Sequence, residues 1–269
     1  MAQTRAVETR AAQTRIAATR LPPTPRLALV TGVGRSEGIG AAIADRLAAD
    51  GWDLALTRWR GYDERLGLRP DADPSLRDLR SRLPAAIVVE ADLEDPAAVP
   101  RLFDEVLART GRAPQALVLS HCESVDSGVL DTTVASFDRH YAVNVRASWL
   151  LIRELATRLT TPTGRVVALT SDAVVDNLPY GATKGALDRL VLAAAGELGH
   201  LGITANAVDP GPTDTGWMSE ELKAGVVAAT PGGRVGTTVD AANLVAFLLS
   251  PDGAWVNGQV LRSDGGLRG

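Results

Sequence analysis

The chain has a single cysteine, Cys122, among its 269 residues, so no internal disulfide can form and a reducing compartment is expected. Its three histidines are widely spaced and make no Cys/His ligand pattern, so a metal-free chemistry is expected. No apolar run approaches the roughly 20 residues that a bilayer span needs. A soluble, cytoplasmic protein with no membrane partner follows as the expectation. An excess of basic residues is also missing: 28 Lys and Arg stand against 32 Asp and Glu, giving a net charge of -4 with no basic face. Nothing there offsets phosphate repulsion, so nucleic acid is not an expected partner. Acidic residues are scarce only at the N-terminus, where Thr-Arg recurs at 4–5, 9–10, 14–15 and 19–20 and Leu21-Pro22-Pro23-Thr24-Pro25 closes the segment. Residues 1–25 are expected to be a disordered extension; their composition also suits an organellar transit peptide or a bacterial leader.

What is present, from Arg26 to Gly269, reads as a single catalytic domain. Short apolar β-type runs alternate with helical stretches, the pattern of a parallel sheet covered on both faces. Strands are expected at 26–31, 53–58, 86–90, 115–120, 164–170, 204–209 and 259–262, and helices near 40–50, 96–110, 133–158, 180–200 and 238–249. The fold class is therefore α/β: a doubly wound, Rossmann-type, seven-stranded parallel sheet with helices on both faces. The segments 60–76 and 211–236, rich in Gly, Pro and charge, read as loops.

Gly32-Val33-Gly34-Arg35-Ser36-Glu37-Gly38-Ile39-Gly40 follows the first strand and opens a helix. A pyrophosphate needs a backbone without Cβ to approach and a helix N-terminus to supply N–H donors; Gly32, Gly34, Gly38, Ile39 and Gly40 are placed for both. An acidic residue at the end of the second strand would accept the ribose 2′-hydroxyl and repel a 2′-phosphate. Arg58 stands there instead, so NADP(H) is expected over NAD(H); a solvated surface arginine is the alternative.

Tyr180-Gly181-Ala182-Thr183-Lys184 puts a phenol and an ammonium one turn apart on one helix face. Lys184 is expected to lower the Tyr180 pKa and make it an acid/base couple. Ser171, at the carboxyl end of the fifth strand, is placed to hydrogen-bond a substrate oxygen.

These motifs, in this order over about 27–269, resemble the short-chain dehydrogenase/reductase family, in particular its 3-oxoacyl-carrier-protein reductase-like members. The resemblance implies an NADP(H)-dependent oxidoreductase that interconverts a ketone and a secondary alcohol, working as a ketoreductase, as a homodimer or homotetramer acting on a small molecule. It implies that Arg35 faces the 2′-phosphate, that Asp92 and Leu93 border the adenine, and that Lys184 holds the nicotinamide ribose. Asn144 would hold a relay water, with Pro210, Gly211 and Thr213 beside the nicotinamide. Trp217 and Met218 are candidates for an apolar substrate wall or for core. Enoyl reductases space the Tyr and Lys more widely and are disfavoured.

Three departures from the family pattern stand out. The glycine-rich turn holds five residues between Gly32 and Gly38 where three are usual. The loop from Ser171 to Tyr180 is about four residues shorter than usual. Leu119-Ser120-His121-Cys122 replaces the family's Asn-Asn-Ala-Gly. The last change and the widened turn leave a catalytically silent NADP(H)-binding sensor or scaffold as the alternative function.

Overall fold

Along Arg26–Thr31 (β1) the side chains alternate between two cores: Leu27 and Leu29 join one buried cluster, Ala28 and Val30 the other. A strand that buries both faces belongs inside a sheet sandwiched between helices, which is how the chain folds. The structure is a computed structural model and describes residues 26–65, 67, 74–216 and 218–267. The N-terminal extension and Trp217 lie outside the described residues.

After β1 come α1 (Ile39–Ala49), β2 (Trp52–Arg58), α2 (Arg60–Arg65), α3 (Pro74–Arg82) and β3 (Ile87–Glu90). Next are α4 (Ala98–Thr110), β4 (Ala116–Leu119), α5 (Val134–His140), a π-helical turn (Tyr141–Arg146), α6 (Ala147–Arg158) and β5 (Gly164–Leu169). The last third holds α7 (Leu178–Glu197), β6 (Ile203–Asp209), β7 (Thr213–Asp214), α8 (Glu220–Ala229), β8 (Gly236–Thr237), α9 (Thr238–Leu249) and β9 (Val260–Arg262).

Among the described residues, seven strands form one parallel sheet in the order β3-β2-β1-β4-β5-β6-β9, and β7 pairs with β8 apart from it. One face packs on α4, α6 and α7 through Phe103, Leu151, Leu155 and Val191; the other packs on α1 and α9 through Ile43, Leu47, Val245 and Leu248. The strand order runs outward in opposite directions from β1 and from β4. The crevice beyond their carboxyl ends is the place where doubly wound sheets bind ligands. Among the described residues no helix is long and apolar enough to cross a membrane.

The expected seven strands and the doubly wound order are those found. The two expected loops are not bare. The 60–76 segment carries α2 and the start of α3, and 211–236 carries α8, whose N-cap Ser219 accepts from Leu222 N. Neither α2 nor α8 buries a residue, so neither leaves an apolar stripe in the sequence. The expected helix 96–110 starts at Ala98: Asp92 and Asp95 instead close local turns, accepting from Glu94 N and Ala97 N. The expected helix 133–158 is interrupted by the π-helical turn.

Candidate active site

The glycine-rich turn is held open by contacts on both sides. Val33 N donates to the Thr57 carbonyl of β2 at 2.7 Å, and Gly32, at φ +73°, packs so tightly on β4's continuation that a Cβ would lie 2.5 Å from His121 Cα. The helix that follows begins at Gly38 with no side-chain cap and no acidic residue in its first turn. Its N-terminal N–H groups and the positive end of its dipole thus remain available to an anion. Gly32, Gly34, Arg35, Gly38, Ile39 and Gly40 all line one cleft of about 350 Å³.

At one end the cleft is lined by Arg58, Trp59, Asp92 and Leu93. Arg58 is only 8% exposed, so it is no solvated surface arginine. Its Nε lies 3.1 Å from Glu90 Oε1, and Arg60 Nε lies 3.2 Å from the same oxygen. One carboxylate thus orients two guanidiniums at the carboxyl end of β2.

At the other end stand Tyr180 and Lys184, one turn apart on α7. The Ser171 hydroxyl lies near enough to the Tyr180 phenol to favour its ionised form. Lys184 is buried; its ammonium donates to the Leu169 carbonyl at 2.7 Å and sits 5.3 Å from the centre of the Tyr180 ring. Burial pushes the phenol above its ordinary pKa, with the Cys122 thiol and the Asp209 carboxylate adding to the rise and Ser171 opposing it. Burial likewise pulls Lys184 down. The Tyr180 shift runs upward, the reverse of the lowering expected from Lys184, with desolvation as its largest cause.

The shortened approach from Ser171 is tightened, not opened. Ala173 N donates to Ser171 Oγ at 3.2 Å, Asp176 turns the chain at φ 60°, and Leu178 N donates to Ser127 O at 2.9 Å. The Ala173 carbonyl then packs against Gly181, where no Cβ would fit.

Asn144 sits in the π-helical turn, a local geometry that re-aims a side chain. Its Oδ1 accepts from Glu123 N at 2.7 Å, and its Nδ2 donates to Glu123 O and to Thr183 Oγ1, both at 2.9 Å. Thr183 in turn donates to the Tyr180 carbonyl at 2.7 Å. Through these bonds the amide ties the post-β4 loop to α7.

The departure at 119–122 is absorbed by packing. His121 is buried, with Nε2 donating to Val143 O at 3.1 Å and Nδ1 accepting from the Thr31 hydroxyl at 2.7 Å. Burial, helped by the charge of Lys184, pushes its pKa down to about 3.

Other expected residues are placed differently. Pro210 lines the cleft, but Gly211 packs on Asp264, and Thr213 donates to the Pro210 and Gly211 carbonyls at 3.2 and 3.3 Å, closing its own turn. Ser171, Asn144 and the half-buried Met218 are not among the residues that line the cleft. The sequence reading missed Tyr62, Arg65 and Glu123, which are. Glu123, directly after the anomalous His121-Cys122 pair, was the available signal.

A family model described as enoyl-(acyl carrier protein) reductase matches residues 32–268. The chain is 34% identical over 259 residues to the uncharacterized oxidoreductase YjdA of Bacillus subtilis (strain 168), covering 90% of this chain and 96% of that one. It is 35% identical over 262 residues to the chloroplastic NADPH-dependent aldehyde reductase-like protein of Arabidopsis thaliana, covering 91% and 96%. A short chain dehydrogenase from Burkholderia cenocepacia J2315, solved in complex with NADP, superposes with a TM-score of 0.76 at 34% identity, covering 90% and 97%.

Proposed function

This chain belongs to the short-chain dehydrogenase/reductase family, and from that premise we propose that it is an NADP(H)-dependent ketoreductase in which Tyr180 donates the proton to the carbonyl oxygen. That it is an NAD(P)-dependent oxidoreductase acting on a carbonyl or an alcohol follows from the family itself. The observation that carries the finer reading is the Tyr180 phenol with the buried Lys184 ammonium 5.3 Å from its ring, at one end of a cleft whose other end presents Arg58. A phenol positioned beside a carbonyl oxygen can act as a general acid, which suits reduction.

The cleft fits a dinucleotide. A turn with no room for Cβ at Gly32 and an uncapped helix N-terminus suit a pyrophosphate, while Arg35, Arg58 and Arg60 suit a 2′-phosphate. When bound, the nicotinamide supplies the hydride. Tyr180 would donate to the carbonyl oxygen, with Ser171 beside it at the end of β5, and Lys184 would hold the ribose. Asn144 keeps the post-β4 loop fixed to the helix that carries both residues. The NADPH-dependent relative and the NADP-bound structure support the choice of cofactor. A cytoplasmic homodimer or homotetramer completes the reading.

The test is to supply NADPH or NADH with a panel of aldehydes and ketones and follow the reduced-nicotinamide absorbance. NADPH oxidation faster than NADH oxidation is expected. NADPH binding without turnover of any carbonyl would favour the silent sensor.

A further inference from the structure

The short helix α2 leaves the carboxyl end of β2 and makes its contacts at the carboxyl end of β4. The Tyr62 hydroxyl donates to Ser124 O at 3.4 Å, and Arg65 Nη2 lies 2.5 Å from Glu123 Oε2. In the sheet, β1 lies between β2 and β4, so these two contacts pass over the glycine-rich turn that follows β1. A dinucleotide runs through that crevice from its adenosine end to its nicotinamide end. Tyr62, Asp63 and Arg65 accordingly line the same cleft as Gly32, Arg58, Tyr180 and Lys184.

The far anchor is firm. The Glu123 side chain is 4% exposed, whereas that of Arg65 is 36% exposed. Asn144 grips Glu123 at both its backbone N–H and its carbonyl. The Arg65 guanidinium also lies 5.6 Å from the centre of the Tyr62 ring, so the two contacts reinforce each other. Opening α2 would strand a buried carboxylate without its cation, which opposes opening.

We propose that α2 is a latched strap: the Arg65–Glu123 pair, with the Tyr62–Ser124 contact, closes it over NADP(H), and the cofactor enters and leaves only when the latch opens. This rests on the cofactor assigned under Proposed function. The latch sets exchange rates more than affinity, because it must open for passage in either direction.

The experiment is stopped-flow binding of NADPH, followed by its own fluorescence, to the wild-type chain and to Arg65→Met, Glu123→Gln and Tyr62→Phe. It is paired with amide exchange over residues 60–65 in the cofactor-free protein. Arg65→Met and Glu123→Gln are expected to raise association and dissociation rate constants by about tenfold each, with a smaller change in Kd, and Tyr62→Phe to act in the same direction by less. Among these amides, those of residues 64 and 65, the two that can close i→i−4 bonds within α2, should be protected in the wild type and exposed in the first two variants. Where Glu123→Gln does not fold, Arg65→Met carries the test from the more exposed end of the pair. NADPH binding at unchanged rates in a folded Arg65→Met, or fast exchange of amides 64 and 65 in the wild type, would overturn the strap alone. No NADPH binding to the wild type would overturn the cofactor reading and the strap with it.

Discussion

Lys184 Nζ donates to the Leu169 carbonyl at 2.7 Å while standing 5.3 Å from the centre of the Tyr180 ring, so one buried ammonium joins the end of β5 to the face of the phenol. Replacing it removes a charge from the site and the hydrogen bond to Leu169 O. Lys184→Met is expected to lower kcat by about 10²-fold or more, with far-ultraviolet circular dichroism unchanged. Initial rates under saturating NADPH check this.

The guanidinium of Arg58 is held by Glu90 at the adenosine end of the cleft. Arg58→Leu should lower kcat/KM for NADPH by about ten- to a hundredfold, the range for losing one charge-assisted hydrogen bond to a phosphate, and change that for NADH far less. Arg60→Leu, whose side chain is 60% exposed, should cost less than Arg58→Leu. Steady-state kinetics with both cofactors separates these outcomes.

The sheet was legible in the sequence because β1, β2, β5 and β6 are apolar on both faces and bounded by turn residues; only their ends moved, by one residue. The α9 start was legible too, since Thr237 and Asp240 form a capping box. The π-helical turn was not: it adds one residue to a turn inside an apolar run, a shift that periodicity does not register. In the site, Tyr180, Lys184 and Ser171 announce themselves by spacing. Glu123 and Tyr62 do not, because their placement depends on contacts with residues 58 and 62 positions away in the chain.

Stability should depend on pH through His121. Its folded pKa, pushed down to about 3 by burial, lies below the ordinary value of 6.5, so the unfolded chain binds the extra proton first. The contribution is complete above pH 6.5 and is lost as pH falls toward 3, with a limiting slope of about 1.4 kcal/mol per pH unit. Denaturant unfolding across that range should show this slope, and His121→Gln, less stable at neutral pH, should flatten it.

Trp149 on α6 is 48% exposed with the Arg153 guanidinium 5.4 Å from its ring, while its neighbours Leu150 and Leu151 are buried within the chain. A second copy covering this face would bury a large aromatic side chain. Light scattering should give twice or four times the 28.2 kDa of the chain, and Trp149→Glu should lower that mass. A wild-type mass of one chain would contradict the proposed assembly.

Tyr180→Phe tests the account most directly, because it removes the phenolic hydroxyl and keeps the ring against Lys184. The variant should still bind NADPH, seen by fluorescence, and should oxidise it with any accepted ketone about 10²- to 10⁴-fold more slowly than the wild type. Turnover at the wild-type rate in the folded variant would contradict the assignment of Tyr180 as the proton donor.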